Sequence, residues 1–293
     1  MFDALFQKIS KHREKAIILF GALCILDAVI YAQIFALGKV NQDLAIHFLN
    51  VGQGDSQFVI LPGGVKVLID GGPANGKALS ELASILPATD RYIDILIMSH
   101  PQADHFSGLI DVFKTYKIGA FLWSGREGMA TSFADLKEAF KTNGAMSVII
   151  GKGDRIKYKE SSVLVLAPWK ELMESKELND TTVVLELMSK NSKTLFTGDI
   201  GANIENQLAA WKLGQVDILK VSHHGSKYSS SKLFIDAIKP KLSIIEVGKN
   251  SYGHPTDQTL SRLSGVGSSI YRTDNDKTVR VIIDGASMKV FKN

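Results

Sequence analysis

Apolar positions after Leu44 follow two rhythms. Short apolar or alternating runs predict strands, and stretches with an apolar residue every three or four positions predict helices. The first rhythm marks Ala45–Val51, Ser56–Leu61 and Val65–Ile69, separated by Gly52-Gln53-Gly54 and by Pro62-Gly63-Gly64, the latter a hairpin turn. Ile93–Met98 is an apolar run of the kind covered on both faces of a sheet. Further strands are predicted at Phe121–Trp123, Ser147–Ile150, Arg155–Tyr158, Ser162–Leu166, Thr182–Met188, Lys193–Phe196, Asp217–Val221 and Leu242–Val247. Thr278–Ile283 and Ala286–Phe291 form a last hairpin around Asp284-Gly285. The second rhythm predicts helices at Lys77–Leu86, Phe106–Tyr116, Ser132–Thr142, Ala202–Leu213, Ser230–Ile238 and Asp257–Leu263. In the third of these Phe133, Leu136, Ala139 and Phe140 share a face. The sum is one mixed α/β domain over residues 44–293, in two halves without a close repeat.

Ahead of it the pattern changes. Ala16–Leu37 is apolar apart from Asp27, and matches the ~20 residues that a helix needs to cross a bilayer. Residues 1–15 form a short basic tail with Lys8, Lys11, Arg13 and Lys15. The bias of positive charge to the cytoplasmic side then predicts a single-pass protein of the cell membrane, with its large domain outside the cytoplasm. A cleaved leader and a buried core helix are the competing readings.

Composition narrows the classes of function. With 45% hydrophobic and 22% charged residues, the 293-residue chain can build a large core, which excludes wholesale disorder. The net charge of +4 is mild, and no long Lys/Arg block announces nucleic-acid binding. The single cysteine, Cys24, excludes a disulfide framework and a Cys-rich zinc module. Any metal must therefore be held by His and carboxylates.

Such residues gather after the apolar strands. Ile93–Met98 runs into Ser99-His100-Pro101-Gln102-Ala103-Asp104-His105. Lys193–Phe196 runs into Thr197-Gly198-Asp199, Asp217–Val221 into Ser222-His223-His224-Gly225-Ser226, and Leu242–Val247 into a loop with Gly253-His254-Pro255. Open α/β sheets bind ligands at the carboxyl ends of their strands. Imidazoles and carboxylates without thiols suit a divalent site of the hydrolytic kind.

HPQADH resembles the H-x-H-x-D-H signature of the metallo-β-lactamase fold. The segments FLNVGQGDSQFVILPGGVKVLIDGG, SHPQADHFSGL, NDTTVVLEL, LFTGDI, LKVSHHGS, GHPT and YRTDNDKTVRV are similar, in order and spacing, to the C-terminal domain of ComEC competence proteins. The resemblance covers the chain from about Ala45 onward. It implies an αββα sandwich, here preceded by a transmembrane helix, with one or two divalent ions, zinc or manganese, at one edge. It assigns His100, Asp104, His105, Asp199 and His223 to metal binding, with Asp104 and Asp199 catalytic and His224 as the alternative to His223. Asp70 falls behind the ligands. His254, Ser226 and Lys227 are placed to contact substrate.

Two positions depart from the superfamily pattern. Gln102 stands where a second His is usual, and Asn179 stands where many members have another. Amide oxygens are harder ligands than imidazole, so the first of two metal sites is expected to be the weaker and to favour manganese over zinc. The function implied is a membrane-anchored, metal-dependent hydrolase that cleaves phosphodiesters, as a nuclease acting on DNA beside a DNA-uptake machinery. The alternatives are a cell-surface phosphodiesterase on a substrate other than nucleic acid, and a non-catalytic surface binding protein with a degenerate metal site.

Overall fold

The computed structural model describes residues 15, 17–32, 42–285 and 287–292. The chain divides into two units at Gln42/Asp43. In the first, residues 17–32 form helix α1. The basic tail before Lys15, Ala16, residues 33–37 of the expected span and Ala286 of the last expected strand lie outside the described residues. The transmembrane expectation is corrected here: among the described residues no helix is long and apolar enough to cross a membrane. The described helix over residues 17–32 rises roughly 24 Å at 1.5 Å per residue, against a hydrocarbon core of ~30 Å.

The second unit is built on two sheets. The first contains β1 (Leu44–Phe48), β2 (Gln57–Ile60), β3 (Lys66–Ile69), β4 (Tyr92–Ile97), β5 (Lys117–Trp123), β6 (Met146–Ile149), β14 (Val279–Ile283) and β15 (Met288–Lys292). Their spatial order is β15-β14-β1-β2-β3-β4-β5-β6. The second sheet contains β7 (Arg155–Tyr158), β8 (Ser161–Ala167), β9 (Val184–Ser189), β10 (Ser192–Phe196), β11 (Ile218–Lys220), β12 (Leu242–Ile245) and β13 (Ser269–Arg272). Their order is β13-β12-β11-β10-β9-β8-β7.

Side-chain alternation packs the sheets face to face. Leu44, Ile46 and Phe48 of β1 point into one core shared with Val165, Leu185, Phe196, Ile218 and Ile244 of the other sheet. On the outer face of the first sheet, Phe58, Leu68 and Leu96 pack on α2 (Lys77–Ile85), α3 (Ala103–Thr115) and α4 (Ser132–Asn143). On the outer face of the second, Leu195, Leu219 and Ile245 pack on α5 (Ala202–Ala210), α6 (Lys232–Ile238) and α7 (Asp257–Gly265). The layers therefore run helix, sheet, sheet, helix, the αββα sandwich that the resemblance implies.

Strand direction places the site. β3, β4, β5 and β6 run parallel, as do β10, β11, β12 and β13. Their carboxyl ends deliver Asp70, His100, Asp199, His224 and Glu246. Helix α3 starts earlier than its apolar rhythm predicts, at Ala103 instead of Phe106, so Asp104 and His105 sit in its first turn. It is pressed against the loop after β3: the Gly71 N–H donates to His105 O (2.7 Å) and the Gly108 N–H to Gly72 O (2.9 Å). A Cβ at Gly108 would collide with the Gly71 carbonyl, so only glycine permits this approach.

Candidate metal centre

Four side chains converge at the sheet edge: Asp104, His105, Asp199 and His224. One ligand atom from each lies within 4.8 Å of all the others. Asp199 Oδ2 is 3.4 Å from both His105 Nε2 and His224 Nε2. Asp104 Oδ2 is 3.4 Å from His224 Nε2 and 4.0 Å from His105 Nε2. Two atoms each ~2.1 Å from a tetrahedral metal lie about 3.4 Å apart, so these spacings fit a shared cation. His105 Nε2, His224 Nε2 and both Asp199 oxygens are buried and have no hydrogen-bond partner among the described residues. Buried polar atoms are rarely left so, and His105 Nε2, His224 Nε2 and Asp199 Oδ2 facing one point fit a metal.

Partners behind the imidazoles fix which nitrogen faces inward. His105 Nδ1 donates to Asp70 Oδ2 at 2.9 Å, and His224 Nδ1 to the Glu246 carbonyl at 2.8 Å. Both Nε2 atoms are thereby left as acceptors. Asp70 is itself held, since Ser99 donates to it from its backbone N–H (2.7 Å) and its hydroxyl (2.5 Å). The Ser99 oxygen is 3.0 Å from His100 Nδ1, and His100 Nε2 is buried without a hydrogen-bond partner among the described residues.

The electrostatics favour a cation. Burial opposes charge on His224, yet Asp199, Asp104 and Asp55 outweigh it and raise its pKa to about 10. Burial likewise opposes charge on His105, and Asp199, Asp55 and Asp104 still hold its pKa well above the usual value. Burial pushes Asp199 up, but His224, His105 and Lys220 draw it well below the carboxylate range. A metal held by His105 and His224 would take the place of those imidazole protons. His100 differs: burial, then His105, lowers its pKa to about 3 and keeps it neutral.

Residues 49–248 match the Metallo-beta-lactamase superfamily. The chain belongs to this superfamily. Its curated relatives are of the ComEC family at modest identity. It is 27% identical to ComE operon protein 3 of Bacillus subtilis (strain 168), over 94% of this chain and 37% of that protein. It is 29% identical to Recombination protein 2 of Haemophilus influenzae, over 80% of this chain and 28% of that protein. It is 25% identical to Competence protein ComA of Neisseria gonorrhoeae, over 80% and 31%. The chain thus spans about a third of the length of these relatives. Its fold is similar to that of the metallo-beta-lactamase fold protein YhfI from Bacillus subtilis, with TM-score 0.54 and 12% identity over 79% of this chain and 97% of that one. The metallo-β-lactamase fold implies divalent metal binding.

Within this superfamily member, the geometry favours His224 over His223. His223, favoured from sequence, lies outside the four-residue group. Its side chain is 32% exposed and its Nε2 is 3.8 Å from Asp199 Oδ2. The position in the group goes to His224, which is 2% exposed. The reason is backbone shape: His223 and His224 are consecutive left-handed residues (φ 51° and 53°), which turn the second ring inward and the first toward solvent. Such conformations cost about 1–3 kcal/mol each and persist where surrounding structure imposes them.

The other expected residues are spread around this group. The Gln102 carbonyl accepts the N–H groups of His105 (3.0 Å) and Phe106 (3.1 Å), and its side chain acts on His100. Asn179 has a buried Oδ1 without a hydrogen-bond partner among the described residues. The His254 ring lies 5.7 Å from that of His223, and its Nδ1 also lacks a hydrogen-bond partner among the described residues. Ser226 is a turn residue, with its N–H on His223 O (2.9 Å) and its hydroxyl taking the Tyr228 N–H (3.3 Å). Lys227 is exposed and lies over the Tyr228 ring at 5.0 Å.

Three charged residues at the site escaped the sequence reading: Asp55, Lys220 and Glu246, each fully buried. Lys220 Nζ pairs with Asp55 and donates to Gly198 O at 3.0 Å. Glu246 accepts the Ser56 N–H at 3.0 Å and the Gln57 side-chain amide. The available signal was a charge inside an otherwise apolar strand, Lys220 in Ile218–Val221 and Glu246 in Leu242–Val247.

Proposed function

We propose that this chain is a metal-dependent phosphodiesterase that cleaves DNA in the setting of DNA uptake. The observation that carries the reading is the convergence of Asp104, His105, Asp199 and His224 at an edge where Asp104 keeps 34% of its side chain open to solvent. A buried structural metal has no such opening. The names of the relatives, a competence protein and a recombination protein among them, support DNA as the substrate. A purely binding role is disfavoured, because it has no need of a water-accessible carboxylate beside two buried imidazoles.

His105, His224 and Asp199 would hold the ion, with Asp104 closing the set. When bound, a divalent ion supplies a Lewis acid and makes water nucleophilic at neutral pH. The remaining chemistry belongs to the chain. Asp104 is held ionised despite burial, chiefly by His105 and His224, so its open oxygen can accept a hydrogen bond from the attacking water and orient it. Burial lowers the pKa of both His223 and His254, so each is neutral at pH 7 and can donate one N–H to a phosphate oxygen. With no membrane-crossing helix among the described residues, a location outside the cytoplasm is carried by the DNA-uptake reading alone, and protease treatment of intact cells tests it.

The deciding assay is cleavage of single- and double-stranded DNA with manganese, magnesium or zinc, with Asp199→Ala as control. Metal-dependent cleavage that the variant loses is the expected result. Hydrolysis of a phosphocholine ester with intact DNA would favour the cell-surface phosphodiesterase instead.

A further inference from the structure

A cavity of about 420 Å³ has Ser124, Ile150, Lys152, Pro168, Trp169 and Lys170 among its walls. Strand direction puts it on the same edge as the candidate metal centre. Ser124, Ile150 and Pro168 follow the carboxyl ends of β5, β6 and β8. β5 and β6 run parallel to β4, which leads to His100. β8 runs the same way as β10, which leads to Asp199, because both are antiparallel to β9. At ~4.8 Å per strand, β8 lies roughly 10 Å along the edge from β10.

The walls are held in place. Arg126, in the loop after β5, donates from Nη1 to the Met173 carbonyl (3.4 Å) and from Nη2 to the Ser175 carbonyl (3.0 Å). These bonds tie the helical turn Lys170–Glu174 to that loop. The same loop runs against the metal side, where a Cβ at Gly128 would sit 2.9 Å from the carbonyl oxygen of Pro101, the neighbour of His100. Trp211 meets the Trp169 ring at 61°, with centroids 5.5 Å apart. Lys152 Nζ lies 3.8 Å from the Trp211 centroid and 5.7 Å from that of Trp169. Lys152 and Lys170 are exposed, and among the described residues neither is in an ion pair. The carboxylate in the lining, Asp154, is turned to its own chain and accepts the Gly151 N–H at 2.8 Å.

We propose that this cavity is a subsite for one nucleotide of a nucleic-acid strand whose scissile phosphate lies at the metal centre, with the base on Trp169 and its phosphate met by Lys152 and Lys170. An aromatic face beside unpaired ammonium groups answers both halves of a nucleotide, since every base has a π-face and every phosphate a charge. The far side of the edge supports the same path. Tyr252 and His254 follow β12, two strands from β10 in the opposite direction, so the metal centre lies between two aromatic places. The proposal rests on the reading of the chain as acting on DNA.

The test is fluorescence anisotropy of the full chain with manganese. One probe is a labelled phosphorothioate single strand of about twelve nucleotides, which at about 3.4 Å or more per nucleotide outreaches the distance between the two places. The other is a labelled dinucleotide, which does not. The wild type is expected to bind the longer probe far more tightly. Trp169→Ala should cut that advantage about fivefold or more, and Trp169→Phe should restore most of it, because a phenyl face still stacks. Lys152→Ala should lower the slope of log affinity against log salt by about 0.7, the share of one phosphate contact. If the wild type prefers the longer probe and the alanine variants keep both its advantage and its slope, the subsite is refuted while the DNA reading stands. A face that serves a protein partner gives this result. Equal affinity of the wild type for the two probes also refutes the subsite. If the wild type binds neither probe, the DNA reading fails and the subsite falls with it. If Trp169→Ala does not fold, Lys152→Ala decides.

Discussion

Asp70 and His105 lie 35 positions apart in sequence, yet they are joined by a 2.9 Å hydrogen bond that sets which nitrogen of His105 faces the candidate metal position. The bond needs Asp70 in a left-handed conformation (φ 56°) at the end of β3 and His105 in the first turn of α3. Carboxylates behind metal-binding imidazoles orient the ring and raise its basicity.

Asp70→Asn should therefore weaken metal binding about 10–100-fold without touching a ligand. Competition with a chromophoric chelator measures this. Wild-type affinity in a folded variant would mean that Ser99 and packing alone orient the ring.

His224→Ala and His223→Ala should separate cleanly. The first should purify with little metal, since it removes one of four convergent ligand atoms. The second should retain its metal and lose rate. Elemental analysis of both proteins tells them apart, and the reverse pattern would return the ligand role to His223.

His254→Ala and Tyr252→Ala probe the rim. Tyr252 is 73% exposed and its ring lies 5.7 Å from that of His254, which in turn lies 5.7 Å from that of His223. The three rings lead outward from Asp199. Each substitution should raise KM for an oligonucleotide several-fold and leave metal content unchanged. Steady-state kinetics on a short single strand provides the measurement.

His47 provides a pH test away from the metal. It pairs across the sheet with Arg280, and burial, then Arg280, lowers its pKa from 6.5 to about 4. The unfolded chain takes up the proton more readily, so the fold is stabilised above pH 6.5. That contribution, about 3 kcal/mol at most, is lost as pH falls from about 6.5 to about 4. His47→Phe should flatten the fall in melting temperature over that window. An unchanged slope would assign acid sensitivity to other groups.

The sequence by itself determined the layered α/β fold and the edge on which the site lies. Polar ligand-type residues interrupt apolar runs at Ser99-His100, Gly198-Asp199 and Ser222-His223-His224, and such interruptions are local and survive without knowledge of strand order. Only the tertiary structure decided which residues meet. The choice of His224 over His223 came from two successive left-handed residues, which no apolar rhythm encodes. The apolar stretch ahead of residue 44 has the hydropathy of a span, yet among the described residues no helix is long and apolar enough to cross a membrane. What Asp55, Lys220 and Glu246 meet was illegible, because a buried charge is tolerated only beside its partners. Those partners come from distant chain: Glu246 meets Ser56 across 190 positions. Spacing along a chain reports which side of a helix or strand a residue takes. Pairing across two sheets depends on strand order, and that is fixed only when the whole core closes.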